Sequence, residues 1–134
     1  MSENSSKKDL IIRCGFSTIK FGNVFRESTL AKGEALRHPR NHVINAEEIL
    51  RPGKFPEING YCLPQTKINN PPYKLSISLD ASRTINGFMC NCVAGAGAIG
   101  DGQLSACKHI AALALHINKE REESSKFRHY SSKI

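Results

Sequence analysis

A chain of 134 residues, 40% of them hydrophobic and none of them Trp, suits one domain with a modest core and excludes a large one. The net charge of +7 is spread along the chain, which suits contact with a polyanion or a solubilising surface. The longest apolar stretch, Ile110 to Ile117, is interrupted by His116 and is too short to span a membrane.

In chain order, residues 1–8 are small, polar and charged and read as a disordered tail. Residues 9–60 read as an irregular mixed N-terminal segment with short helices. Its apolar runs between Leu10 and Phe25 are punctuated by Gly15 and Gly22. Ser28 is placed to cap a short helix through Leu36, weakened by Gly33 and broken at His38-Pro39-Arg40. Asn45-Ala46-Glu47-Glu48 has the form of a capping box, predicting a second short helix that Pro52-Gly53 ends. From Pro52 to Pro72 five prolines and repeated turn signals predict an irregular connector.

The pattern sharpens at Tyr73, where Tyr73, Leu75, Ile77 and Leu79 alternate with Lys74, Ser76, Ser78 and Asp80. That period of two is a strand with one apolar face. Ala81-Ser82-Arg83 can turn the chain, and Thr84 to Cys92 can return as the second strand of a hairpin. The Gly-rich run from Gly95 to Gly102 predicts a flexible loop. Ser105 is a candidate N-cap for a helix to about Lys119, with Ile110, Leu113, Ala114 and Ile117 on one stripe. Beyond it, 121–134 is charged and Ser-rich, a polar tail.

Four residues in this region carry chemistry: Cys90-x-Cys92 and Cys107-x-His109. Residues two apart on a strand face the same side, so Cys90 and Cys92 can converge on one ion. Cys107 and His109 open the predicted helix, where the N-terminal dipole favours a thiolate. Three thiolates and an imidazole fill a tetrahedral shell around one Zn²⁺ and leave no position for water or substrate. The predicted role is therefore structural and not enzymatic. An odd count of five cysteines, with no apolar signal segment at the N-terminus, points to reduced thiols in an intracellular setting. Cys14 and Cys62 stand alone and read as small hydrophobes or spare thiols. His116 reads as a helix-surface residue, and His38 and His42 as loop residues. Gly95-x-Gly97-x-x-Gly100 spells a dinucleotide-binding fingerprint, but the following helix begins too late and no βαβ unit is evident.

Cys90-Asn91-Cys92-Val93-Ala94-Gly95 followed by Ala106-Cys107-Lys108-His109-Ile110-Ala111-Ala112-Leu113 resembles the SWIM-type zinc finger, whose pattern is C-x-C, a variable spacer and C-x-H. The transposon-associated eukaryotic members are the most similar. The resemblance places the finger at 61–120 and implies an α+β fold, a β-hairpin and helix (ββα) clamped by zinc. It implies Cys90, Cys92, Cys107 and His109 as ligands, and DNA or protein as partner, with a nuclear location. Membrane and small-molecule partners are not expected. Arg83, Lys108, Lys119 and Arg121 lie near the finger and are the candidate phosphate contacts. The alternative is a protein–protein adaptor that makes no contact with nucleic acid.

Overall fold

The computed structural model describes residues 8–38, 40–65, 70–92, 99–100 and 106–131, leaving aside the side chains of 99–100 and 121–131. Its secondary structure is α+β. Strand β1 (Leu10–Ile12) precedes helix α1 (Glu27–Arg37). Strands β2 (Val43–Leu50), β3 (Glu57–Cys62), β4 (Tyr73–Leu79), β5 (Ile85–Cys90) and β6 (Ile99–Gly100) follow, and helix α2 (Lys108–Ser131) is the last element of the described residues. The six strands form one sheet in sequence order, each antiparallel to its neighbour.

The hairpin expected from the period-two pattern is β4–β5, with Leu75 opposite Cys90 and Ile77 opposite Phe88. Asp80 shapes its turn by accepting hydrogen bonds from the backbone N–H groups of Ser82 and Thr84, each at 2.9 Å. That turn lets Arg83 adopt φ 65°.

Three expectations for the earlier chain are corrected. Residues 43–50 form a strand and not a helix: β2 lies between β1 and β3, and its ladder shifts register between Ile44 and Glu47. The residues that resemble a capping box are that irregularity. Asn45, at φ 54°, uses the tolerance of Asn for the left-handed region. The connector expected over 52–72 contains β3, a strand paired on both edges. Its inward positions are Ile58, Gly60 and Cys62. Gly60 leaves room for Leu113, whose Cδ1 lies 2.9 Å from where a Cβ would stand. Glycine in the apolar row hides the alternation. Finally, α1 begins one residue before Ser28, and its N-cap Arg26 makes no side-chain capping bond. It ends where expected, with His38 extended before Pro39.

One face of the sheet is covered by α2, which lies over β2 to β5, and α1 packs on α2 from the other side. Ile110, Leu113, Ala114 and Ile117, the expected stripe, are buried, and so are Ala111 and Ala112. A helix buried all round at these positions is one sandwiched between two partners. Gly33 explains how α1 comes so close: a Cβ there would lie 2.7 Å from the Cβ of Ala111. The backbone of α2 continues past the expected Lys119 to Ser131.

Residues 13–26 close the core with the buried side chains of Phe16, Ile19, Val24 and Phe25. Asn118 fixes this segment by accepting from the Ile19 N–H at 2.8 Å and donating to its carbonyl at 3.0 Å. No helix among the described residues is long and apolar enough to cross a membrane.

Candidate metal centre

The end of β5 and the start of α2 meet at one end of the sheet. Cys90 is the last residue of β5, and Cys92 follows it by two. The Cys92 N–H points at the Cys90 sulfur at 3.4 Å, so the chain curls there and brings both sulfurs to one side. Asn91 between them pins the curl to β4 by accepting from the Lys74 N–H at 2.9 Å.

Cys107 stands immediately before α2, and its carbonyl accepts the first helical bond, from the Ala111 N–H at 3.1 Å. The backbone N–H groups of Ile110 and His109 face its sulfur closely enough to help lower the thiol. Cys107 is thus the N-cap of α2. Ser105, the expected cap, lies outside the described residues. With the helix starting at Lys108, His109 reaches the cysteines within the first turn. Its Nδ1 lies 3.9 Å from the Cys90 sulfur and 3.8 Å from that of Cys107.

The ligand atoms of Cys90, Cys92, Cys107 and His109 all lie within 4.8 Å of one another, and together the four could hold a metal ion. Cys90, Cys92 and His109 are buried, and Cys107 is half-buried. The crowded thiols shift in opposite directions. The Cys107 thiol is lowered, first by its hydrogen bond with Cys90, with help from His109 and the helix N–H groups. The Cys90 thiol is raised, first by the same hydrogen bond and then by burial.

Two residues at the site are not read from sequence as part of it. The Tyr73 ring lies against His109, with centroids 4.4 Å apart and a tilt of 36°. Its phase on β4 places it on the inner face, which is the available signal. Cys62 lies directly opposite Tyr73 on β3 and is fully buried. Burial first, then the neighbouring Cys107 and Cys92, push its thiol up to about 11, against the opposing effect of Lys108. It is a protonated thiol beside the cluster. Cys14 is exposed and, like His116, falls outside the metal-ligating group.

The four candidate phosphate contacts have separate fates. Arg83 is engaged within the fold. Its guanidinium grips Glu48, with Nη1 to Oε2 at 2.7 Å and Nη2 to Oε1 at 3.1 Å, and also donates to the Thr18 and Ser17 carbonyls. Glu48 is 2% exposed and Arg83 is half-buried, and the pair ties the hairpin turn to β2 and the 13–26 segment. Lys108 lies beside the cluster and donates to Gln65 at 2.8 Å. Lys119 is half-buried on α2, close enough to help lower Glu34. The Arg121 side chain lies outside the described residues. No family model, curated protein or solved structure matches this chain.

Proposed function

We propose that this chain is a SWIM-type zinc-binding module, in which one structural Zn²⁺ held by Cys90, Cys92, Cys107 and His109 fixes a DNA-binding surface. The observation that carries the reading is the convergence of three sulfurs and one imidazole nitrogen. Tetrahedral bonds of about 2.3 Å to sulfur and 2.0–2.1 Å to nitrogen put neighbouring donors roughly 3.5–3.8 Å apart. The sulfur-to-Nδ1 distances of 3.8 and 3.9 Å need only a slight contraction to meet that. Three thiolates favour zinc over the hard cations that take oxygen donors. Four protein donors complete the shell, so the metal supplies rigidity and not a reacting position.

The nucleic-acid half of the reading rests on the charge of +7 and on Lys108 and Lys119 along α2. A nuclear location follows from the family resemblance. DNA affinity of the zinc-loaded protein, measured against salt concentration, tests it. Log affinity that falls linearly with log salt is expected from phosphate contacts, and affinity insensitive to salt refutes them.

A second reading, a protein–protein adaptor, is favoured by Leu10, Ile11 and Phe55, which are large apolar side chains 57%, 42% and 61% exposed. Co-purification of a partner that survives nuclease and high salt, and that is lost in Phe55→Ser, supports it.

A further inference from the structure

Helix α1 contributes no metal ligand, yet it presents a polar face to the metal-bearing start of α2. Thr29 and Lys32 are three residues apart and share that face. With Cys107, Lys108 and His109 they line a cavity of about 350 Å³, and none of the described residues in its walls is a carboxylate. The first turn of α2 contains no acidic residue either. The close approach of Gly33 to Ala111 and Ala112 holds the two walls at a fixed spacing.

Among the described residues the Lys32 ammonium has no hydrogen bond or ion pair. Lys108 gives one N–H to Gln65 and keeps two. Two ammonium groups on one cavity repel each other unless an anion lies between them. A zinc ion with three thiolates and a neutral imidazole carries a formal charge of −1, which one lysine balances. The second lysine remains in excess.

We propose that this cavity is a phosphate site, in which Lys32, Lys108 and the Thr29 hydroxyl together hold one backbone phosphate of a bound nucleic acid. The inference rests on the nucleic-acid reading above and assigns half of the contact to α1, outside the hairpin–helix finger. The phosphate comes from DNA or RNA, and the same chemistry serves both.

The test is a salt titration of affinity using the zinc-loaded protein, with a duplex DNA oligonucleotide and a single-stranded RNA of matching sequence. Zinc content is measured on every variant. The polymer that the wild type binds more tightly supplies the phosphate. For that polymer Lys32→Gln is expected to bind roughly three- to tenfold more weakly, with the salt slope reduced by about 1. Lys32→Arg, which keeps the charge, is expected to bind like the wild type. Lys74→Gln, on the sheet face away from the helices, is expected to change little. A Lys32→Gln protein that binds as tightly as the wild type overturns the site and leaves the nucleic-acid reading standing. Wild-type protein that binds neither polymer overturns both. A Lys32→Gln protein that loses zinc while its loaded fraction binds normally makes Lys32 a counter-charge for the metal, and also overturns the site.

Discussion

Arg83 shows how one side chain changes meaning between sequence and structure. As an isolated arginine after a strand it reads as a solvated cation suited to phosphate. In the fold its positive φ and its grip on the buried Glu48 make it a clasp between the hairpin turn, β2 and the 13–26 segment. Removing one partner of a buried pair strands the other charge. Arg83→Met is therefore expected to destabilise the protein by about 3 kcal/mol, measured by denaturant unfolding, without altering metal content. A cost within experimental error would show that Glu48 finds another partner or water. Cys62→Ala provides a companion test. It should cost a modest amount of stability for a small buried cavity and leave metal stoichiometry intact, because Cys62 stands beside the donor set and not in it.

At the scale of elements, the contact between α1 and α2 turns on Gly33. In an isolated helix Gly→Ala stabilises by up to about 1 kcal/mol. Here the new methyl would stand 2.7 Å from the Ala111 Cβ and 2.8 Å from the Ala112 N, both held in the helix they belong to. Gly33→Ala is expected to destabilise by about 1–3 kcal/mol, the sign reversed by overpacking. A stabilised variant would mean that the helices sit further apart. The β4–β5 turn carries a pH signature. The Asp80 carboxyl is held below the usual aspartate range, first by the Thr84 N–H and then by the Ser82 hydroxyl. Its folded value lies below its unfolded one. Its contribution is therefore fully present above the unfolded value and lost as pH falls through the folded one. A carbon-13 titration of Asp80 that shows an ordinary midpoint would remove that role.

The same elements show what the sequence made legible. The β4–β5 hairpin and the buried stripe of α2 are written in clean periods of two and about three and a half, because each packs a whole face against the core. The ligand set is legible because its spacing is local. β2 and β3 are not, for different physical reasons. In β2 a bulge and an inward glutamate break the alternation. In β3 a glycine stands where an apolar residue would advertise the inner face. The roles of Gly33, Tyr73 and Lys32 depend on neighbours far away in the chain, and no local pattern announces them.

Across the whole molecule, the core is larger than a zinc-clamped hairpin and helix would provide. Residues from the 13–26 segment, α1 and four strands share it with α2. Loss of metal is therefore expected to lower the melting temperature and expose the first turn of α2 to hydrogen exchange, while most of the sheet persists. Complete loss of secondary structure on chelation would show that the apolar core cannot stand without the ion. Metal binding must also expel protons to solvent, since cysteine binds zinc as the thiolate. Affinity should accordingly weaken as pH falls. The central claim is that Cys90, Cys92, Cys107 and His109 form one zinc site. Its most direct test is metal analysis of the purified protein beside Cys107→Ala and Cys14→Ala. One zinc per chain in the wild type and Cys14→Ala, lost in Cys107→Ala, is the predicted result. A folded wild type without metal under zinc-replete conditions, or a Cys107→Ala protein that keeps its zinc at full affinity, would contradict it.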